Sequence, residues 1–192
     1  MLTIAWDVDD VLNDLMRAWL KEAWLRSHPQ CTVTYEDLHS NPPHAELGAS
    51  LDEYRASLDE FRRSRYLSDL LPSPEATAWF QQHGDRYRHI ALTAVPLACA
   101  PISAAWTLRH FGRWIRGFCF VPSYRTGESI PHYDATKGDF LARLGNVSVL
   151  VDDHCGNVEA AAALGIQAVL MPRPWNGRKD AVAEVFRELE RL

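Results

Sequence analysis

The sequence predicts an α/β fold in which a parallel sheet carries helices on both faces. Short runs of apolar and β-branched residues alternate with longer segments of helical periodicity, a pattern typical of βαβ units. Two of the apolar runs end in closely spaced aspartates, Asp7 with Asp9 and Asp152 with Asp153. Open parallel sheets bind their ligands at the carboxyl ends of their strands. The predicted architecture is therefore Rossmann-like, with a candidate site at one edge of the sheet.

The first predicted strand runs from Leu2 to Trp6 and leads directly into Asp7 and Asp9. Its continuous apolar character is typical of a strand that is buried on both faces. Because side chains alternate along a strand, Asp7 and Asp9 are expected to project in the same direction. Two carboxylates at this position suggest a site for a cation. Aspartates that follow a strand also occur in ordinary turns, and the two residues alone do not separate these readings.

Residues 14–71 contain no convincing buried strand and are predicted to form an inserted helical unit. Two sets of apolar residues have helical spacing: Leu15, Trp19, Ala23 and Trp24, and Leu51, Tyr54, Leu58 and Phe61. Pro72-Ser73-Pro74 is interpreted as the return to the core, since proline ends regular structure. The predicted organisation is therefore a core formed by residues 1–13 and 72–192 and an insertion formed by residues 14–71.

The remainder of the chain alternates between helices and strands. The predicted helices cover residues 74–83, 102–111, 137–144 and 157–164, and the predicted strands cover 89–93, 117–121, 147–151 and 167–171. The final stretch, 181–192, carries Val182, Val185, Phe186 and Leu189 on one helical face, which favours packing against the core.

Four carboxylates converge if the strands before Asp7 and Asp152 are neighbours. One pair of like charges about 4 Å apart costs roughly 4 kcal/mol at an effective dielectric of about 20. A bound cation or raised pKa values must therefore relieve the repulsion. Carboxylate oxygens favour hard cations, and Mg²⁺, which keeps water and substrate phosphate among its ligands, fits best.

Four segments, in this order, resemble the motifs of the haloacid dehalogenase (HAD) superfamily of aspartate-nucleophile phosphatases. The segments are Asp7-Val8-Asp9-Asp10-Val11-Leu12, Ala91-Leu92-Thr93, Lys137 and Val151-Asp152-Asp153. The resemblance implies that residues 14–71 form a cap of the superfamily's first class, which covers the site and selects substrate. Most of the aromatic residues in this segment are expected to build its own small core, with one or two facing the cleft: Trp19, Trp24, Tyr35, Tyr54, Phe61 and Tyr66.

The resemblance also implies a role for each motif residue. Asp7 would attack phosphorus to give an aspartyl phosphate, and Asp9 would protonate the leaving oxygen and then activate water. Thr93 would bind a phosphate oxygen, and Lys137 would offset the negative charge of nucleophile and phosphate. The implied Mg²⁺ ligands are the carboxylates of Asp7, Asp152 and Asp153 and the backbone carbonyl of Asp9. No other cofactor-binding residue is predicted.

Simpler structural roles exist for three of these residues. Thr93 has the β-branched side chain that strands favour. Lys137 follows an apparent helix start and would then be a solvated lysine of the first turn. Asp153 would be the N-cap of a helix that begins near Gly156. The role of His154 is also open, because this residue would either touch substrate or cap that helix.

A narrower set of segments resembles the 5′(3′)-deoxyribonucleotidase family. The segments are Thr34-Tyr35-Glu36-Asp37-Leu38, Thr93-Ala94-Val95-Pro96, Trp106, Phe111-Gly112 and Pro174-Trp175-Asn176. Two positions depart from the family pattern: Ala94 stands where a hydroxyl residue is usual, and no lysine lies near Ser103. Lys137 is interpreted as supplying that charge. Pro174-Trp175-Asn176 has a simpler reading as a surface turn with a packing tryptophan.

These observations predict an Mg²⁺-dependent phosphomonoesterase whose favoured substrate is a (deoxy)ribonucleoside monophosphate. The alternatives are a phosphatase of another small metabolite, such as a sugar phosphate, and a non-catalytic member that binds Mg²⁺ or a nucleotide. The net charge of −5 gives no basic surface for nucleic acid, which disfavours a polymer substrate.

Cysteine spacing and the start of the chain bear on the compartment. The four cysteines have no CxxC spacing, so neither a zinc site nor a disulfide framework is predicted, and a reduced cytoplasm is expected. The chain starts with a core strand and has no long apolar run, which predicts neither a signal peptide nor a membrane span. The sequence leaves open whether the chain forms a homodimer.

Overall fold

A five-stranded parallel sheet forms the centre of the molecule in a computed structural model that describes residues 1–131 and 133–192. The strands follow the order β3-β2-β1-β4-β5 across the sheet. Their bounds are Thr3–Trp6 (β1), Arg88–Val95 (β2), Ile115–Pro122 (β3), Val149–Asp152 (β4) and Gln167–Leu170 (β5). The predicted α/β architecture is confirmed. Because β1 lies between β2 and β4, the carboxyl ends of these three strands meet.

Two apolar clusters cover the two faces of the sheet, as the alternation of side chains requires. Ile4 and Trp6 of β1 belong to the cluster on one face, and Ala5, between them, belongs to the cluster on the other. The helices of the molecule are Leu15–Trp19 (α1), Leu25–Ser27 (α2), Leu51–Arg63 (α3), Arg65–Asp69 (α4), Pro74–His83 (α5), Ala100–Phe111 (α6), Lys137–Leu144 (α7), Cys155–Ala163 (α8) and Val182–Leu189 (α9). Helices α5, α6 and α9 pack on the first face, and α7 and α8 pack on the second.

The helices and strands predicted between residues 74 and 171 are all present, with ends that shift by at most two residues. The last predicted helix is present as α9, and Val185, Phe186 and Leu189 are buried in the core, as expected from their spacing. No helix within residues 1–131 and 133–192 has both the length and the apolar character needed to cross a membrane.

The first helical stretch differs from the expected single α-helix. After α1 the chain widens to a π-helix over Leu20–Trp24 and returns to α-helical geometry in α2. A π-helix brings residues that are five positions apart onto nearly the same face. Trp19 and Trp24 have this spacing and are both buried, with ring centroids 5.5 Å apart. The wider turn thus allows both tryptophans to enter one core, which 3.6-residue periodicity does not predict.

Residues 14–71 have their own apolar cluster, which extends from Leu15 to Leu67 and includes five of the six aromatic residues named above. Tyr66 is the exception and is 37% exposed. The two connections of this segment to the sheet run side by side, because Asn13 forms an antiparallel bridge with Pro72 and the Ser73 amide donates to the Leu12 carbonyl (2.8 Å). Residues 14–71 therefore leave and re-enter the rest of the chain at one point beyond β1.

Candidate active site

Three buried carboxylates meet at the carboxyl ends of β1 and β4. Asp7 follows β1, and its amide donates to the carbonyl of Val151 in β4 (2.9 Å). This pairing brings the end of β1 beside Asp152 and Asp153. One carboxylate oxygen from each of Asp7, Asp152 and Asp153 lies within 4.8 Å of the others. The structure thus brings Asp7 together with Asp152 and Asp153, but Asp9, the fourth carboxylate that was expected to converge, is not part of this group.

Lys137 lies between two of these carboxylates. Its Nζ is 2.6 Å from Asp7 Oδ2 and 2.6 Å from Asp152 Oδ2, and the residue is only 1% exposed. Burial alone would lower the pKa of Lys137, but the charges of Asp152 and Asp7 raise it above its ordinary value. Thr136 caps α7 by accepting a hydrogen bond from the Asp139 amide, so Lys137 occupies the first turn. The alternative of a solvated first-turn lysine is wrong because the side chain of Lys137 points into the protein.

Asp152 and Asp153 have different surroundings although they are adjacent in sequence. Asp152 is fully buried, and its Oδ1 accepts hydrogen bonds from the His154 amide (2.9 Å) and from Asn157 Nδ2 (3.0 Å). Asp153 lines the cleft described below, and its Oδ2 accepts from Trp175 Nε1 (2.8 Å). Among the described residues none donates to Oδ1 of Asp153. Asp153 is therefore the more open of the two carboxylates.

The N-cap alternative for Asp153 is wrong. Helix α8 begins at Cys155, and the residue in the N-cap position is His154, whose side chain makes no capping hydrogen bond. His154 is exposed and lines the cleft, so its side chain is not used as a helix cap.

The electrostatics of this cluster favour an additional cation. Burial raises the pKa of Asp7 to about 6, against the opposing attraction of Lys137. Burial also raises the pKa of Asp153 well above its ordinary value, and the charges of Asp152 and Asp7 raise it further. Three carboxylates face a single ammonium group, and all of the converging ligand atoms are oxygens. The residues present therefore fit a hard divalent cation.

Asp9 contacts α3 and does not join the three converging carboxylates. The prediction that Asp7 and Asp9 project in the same direction is wrong, because β1 ends at Trp6 and Asp9 lies in the turn that follows. Its Oδ2 accepts from Nη2 and Nε of Arg62, at 2.9 Å and 3.3 Å, and both side chains are largely buried. Among the described residues none donates to Oδ1 of Asp9, which leaves this oxygen available to a bound molecule. The metal ligand that the sequence resemblance implies for Asp9 is its backbone carbonyl, which does not compete with the ion pair of its side chain.

Thr93 and Ala94 stand at the end of β2 and line the same cleft. Thr93 is buried, and its hydroxyl has no hydrogen-bond partner among the described residues. Ala94 presents a methyl group at the position where the 5′(3′)-deoxyribonucleotidase pattern has a hydroxyl residue. Ser103 is buried within α6 and is absent from the described lining of the cleft.

The cleft has a volume of about 210 Å³ and separates the carboxyl ends of the strands from residues 14–71. Most of the described lining residues are polar or charged. Arg55 and Arg62 of α3 line one side, and the charged residues on the side of the sheet are Asp7, Asp9, Asp10, Asp153, Lys137 and Arg125. Among the described residues that line the cleft, Tyr54 is the one with a phenol ring. This side chain is only 4% exposed because it packs in the apolar cluster of residues 14–71.

An ion-pair chain crosses the cleft, and sequence reasoning missed it. Asp59 on α3 binds Arg125 in a bidentate contact, with Nε at 2.6 Å and Nη2 at 2.9 Å. Asp59 also lies 3.5 Å from Nη1 of Arg62, which in turn binds Asp9. The three-residue spacing of Asp59 and Arg62 was a signal that they share a helix face. No sequence pattern indicates that this face meets Asp9 and Arg125.

The segment Pro174-Trp175-Asn176 supports the acidic cluster from behind. Trp175 donates to the carboxylate of Asp153, and Asn176 Nδ2 donates to the backbone carbonyl of Asp153 (2.8 Å). Arg173 Nε donates to the carbonyl of Asp10 (2.6 Å), which has a left-handed backbone with φ of 59°. The segment is a single 3₁₀ turn in which Trp175 packs against the apolar cluster of residues 14–71, as the reading of a turn with a packing tryptophan predicts. Its contacts with Asp153 are an additional role that this reading does not include.

Solved structures with the same fold come from several bacteria. Protein Tyrosine Kinase A of Mycobacterium tuberculosis is 19% identical with a TM-score of 0.65, over 97% of this chain and 96% of that one. A HAD-superfamily hydrolase of Geobacter sulfurreducens is 13% identical with a TM-score of 0.53, over 98% and 96%. A Bacillus subtilis protein described as a HAD-hydrolase, bound to magnesium, is 15% identical with a TM-score of 0.59, over 99% and 97%.

No protein-family model matches the chain, and no curated relative matches it. The solved structures include a kinase as well as hydrolases, and one fold can carry several chemistries. These solved structures nevertheless match over 97% or more of this chain, with TM-scores of 0.53 to 0.65. The chain has the fold of the haloacid dehalogenase superfamily.

Proposed function

We propose that this protein is an Mg²⁺-dependent phosphomonoesterase that works through an aspartyl phosphate on Asp7. The observation that carries the proposal is the contact of Lys137 with both Asp7 and Asp152 at 2.6 Å, at the acidic end of a cleft. A carboxylate held by a buried ammonium group is oriented without a conformational search. Thr93 adds an unpaired hydroxyl at the neighbouring strand end.

The reaction divides between two carboxylates. A carboxylate oxygen of Asp7 forms a bond to phosphorus while the bond from phosphorus to the ester oxygen breaks, and Asp9 gives its proton to the leaving oxygen. Asp9 then takes a proton from the water that attacks the phosphorus of the aspartyl phosphate, which releases inorganic phosphate and restores Asp7. The Oδ1 atom of Asp9 is the oxygen available for these transfers, because Arg62 holds Oδ2.

The positive groups of the site stabilise the charge that develops on the phosphoryl oxygens. Lys137 balances the nucleophile, and Thr93 donates its hydroxyl to a phosphoryl oxygen. Mg²⁺, bound by the carboxylates of Asp7, Asp153 and Asp152 and the Asp9 carbonyl, would act as a Lewis acid toward the phosphate. We assign the more exposed Asp153 as a direct ligand and Asp152 as a residue that also orients Lys137.

Residues 14–71 act in this proposal as a cap on a core of residues 1–13 and 72–192. Tyr54, Leu58 and Arg62 of α3 line the cleft opposite the carboxylates, so the segment excludes water from the phosphate and contacts the rest of the substrate. The volume of about 210 Å³ is below the roughly 300–1,000 Å³ of typical small-molecule sites, which supports a small ester.

The first candidate substrate is a (deoxy)ribonucleoside monophosphate, on the strength of the sequence resemblance. The small cleft and the packed position of Tyr54 favour a second candidate, a smaller metabolite ester such as a sugar phosphate. A nucleobase would need an open aromatic face to stack on. Tyr54 is buried, so the smaller ring of His154 is the exposed aromatic face in the described lining.

Phosphate release across a panel of esters tests the proposal. The panel contains ribo- and deoxyribonucleoside 5′- and 3′-monophosphates, sugar phosphates and an aryl phosphate, each with Mg²⁺ and with a chelator. We expect chelator-sensitive release. Release confined to nucleotides would support the first candidate, and release from other esters alone would support the second. Undiminished release with the chelator, or Mg²⁺ binding with no release from any ester, would contradict the proposed enzyme.

Mg²⁺ is expected to stabilise the folded protein through the same carboxylates. A metal concentration of 100 Kd adds about 2.7 kcal/mol to the free energy of unfolding, because the unfolded chain does not hold the carboxylates together. Thermal unfolding with increasing MgCl₂ measures the effect. Asp153→Asn should remove most of the Mg²⁺-dependent shift in Tm, whereas Asp134→Asn, which lies outside the cleft lining, should keep it. An equal shift in both variants would contradict the assignment of Asp153.

A further inference from the structure

Arg55 is a cleft residue that the proposed chemistry does not use. It lies on α3 on the same face as Leu58 and Arg62, at intervals of three and four residues, and all three side chains line the cleft. Arg55 is half-buried and makes no ion pair or hydrogen bond with any residue in the described part of the chain. A charged group that is withdrawn from water without a partner is costly unless a ligand compensates it.

The two neighbouring arginines are engaged in a different way. Arg125 uses Nε and Nη2 on Asp59, and its Nη1 contacts the carbonyls of Ser123 and Tyr124 and the hydroxyl of Ser123. Arg62 uses Nε and Nη2 on Asp9, but its Nη1 has only the 3.5 Å contact with Asp59. Arg125 is thus fully occupied, whereas Arg62 retains donor capacity toward the cleft.

The position of Arg55 separates it from the acidic end of the cleft. Seven residues of α-helix place the Cα of Arg55 about 10.5 Å along the axis from that of Arg62, whose side chain already reaches Asp9. The cleavable phosphate is expected beside Asp7 and Lys137, at the other end. A cation displaced by about two helical turns from the residue that reaches Asp9 is suited to a second group on the same substrate.

We propose that the substrate carries a second anionic group in addition to the phosphate that is cleaved, and that Arg55, with Nη1 of Arg62, binds it. The guanidinium group matches the geometry of a carboxylate or a second phosphate, which it can bind through two parallel hydrogen bonds. The proposal rests on the proposed phosphomonoesterase and narrows its substrates to phosphate esters that also bear a carboxylate or a further phosphate.

Binding of non-hydrolysable phosphonates tests the second site without turnover. The probes are ω-phosphonocarboxylates with two to five methylene groups, each compared by calorimetry with the alkylphosphonate of the same length, in the presence of Mg²⁺. We expect the carboxylate to improve Kd about tenfold or more at the best length, the size of effect that a charge-assisted hydrogen bond gives. Arg55→Gln should remove this advantage, and Arg55→Lys should restore part of it.

A matched control uses the same helix and the same change of charge. Arg63 is exposed and outside the cleft lining, so Arg63→Gln should keep the advantage of the carboxylate. An equal loss in Arg55→Gln and Arg63→Gln would show that the effect is only the net charge of α3. Equal affinities for each probe pair in the wild-type protein would overturn the second site.

Turnover then separates the two sources of the anion and separates this inference from the proposed function. The pairs are glycerol 3-phosphate with 3-phosphoglycerate, and fructose 6-phosphate with fructose 1,6-bisphosphate, with products identified by NMR. We expect kcat/KM to favour the doubly anionic member of one pair, which identifies a carboxylate or a phosphate. Release from an aryl phosphate without preference in either pair would overturn the second site and leave the enzyme standing. No release from any ester, with the binding preference intact, would overturn the enzyme alone.

Discussion

Asp7→Asn is expected to reduce kcat for phosphate release by at least about 10³-fold while the fold is retained. An amide is nearly isosteric with a carboxylate, but it cannot form the aspartyl phosphate, and removal of a catalytic nucleophile costs factors of this size or more. Lys137 keeps its contact with Asp152 in the variant, so the buried ammonium group remains paired. Steady-state kinetics on the best ester of the panel, with circular dichroism as the test of folding, measure the effect.

Two further variants make this result specific. Asp52→Asn removes an exposed carboxylate from the first turn of α3 and should retain wild-type kcat. Asp9→Asn should slow hydrolysis of the aspartyl phosphate more than its formation from an aryl ester, whose leaving group needs little protonation. A phosphorylated protein should therefore accumulate in Asp9→Asn and be visible by mass spectrometry after acid quench. Turnover by Asp7→Asn at the wild-type rate would exclude Asp7 as the nucleophile.

Lys137→Met is expected to lower the free energy of unfolding by about 3–5 kcal/mol and to abolish turnover. The substitution leaves Asp7 and Asp152 buried and facing each other without the ammonium group that now lies 2.6 Å from each of them. Removal of one partner from a buried ion pair has a cost of this size, because the remaining charge is uncompensated. Urea unfolding at constant pH, in the absence of divalent cations, measures the change.

A second substitution tests the cause of that loss. The double variant Lys137→Met with Asp152→Asn also removes one of the two carboxylate charges that face each other. We expect much of the stability to return while turnover stays absent. The exposed Lys179 provides the matched control, since Lys179→Met should change the free energy of unfolding by less than about 0.5 kcal/mol. A loss in Lys137→Met no larger than that in Lys179→Met would contradict the ion-pair account.

The acidic cluster was predictable from the sequence because it follows from strand topology. Asp7 and Asp152 each follow or end an apolar strand, and the carboxyl ends of neighbouring parallel strands lie side by side. The strand order was therefore the only further information needed to predict that these carboxylates meet. Lys137 needed more, because whether a lysine in the first turn of a helix points to solvent or inward depends on where the helix packs. The packing of α7 against the sheet determines the direction of the Lys137 side chain, and no local sequence pattern predicts that packing.

The opposite wall of the cleft was not predictable for the same reason. The helix that carries Arg55, Asp59 and Arg62 was expected from its apolar spacing, but periodicity identifies a buried face and not the partner of the polar face. The pairing of Arg62 with Asp9 joins residues 53 positions apart in sequence. The π-helical turn at Leu20–Trp24 was missed because five-residue spacing of tryptophans has no place in a 3.6-residue pattern.

The side-by-side connections at Asn13 and Pro72 give the molecule a modular organisation. Asn13 and Pro72 are paired, and paired strands lie about 5 Å apart. Residues 14–71 are therefore attached to the sheet in the same way as a hairpin loop, whatever their number. The entropic cost of such a loop grows only slowly with its length. Segments of different size and sequence can therefore be exchanged at this junction in evolution or by design, with β1 unchanged. In the proposed enzyme, chemistry and substrate choice would then be encoded in separable parts of one chain.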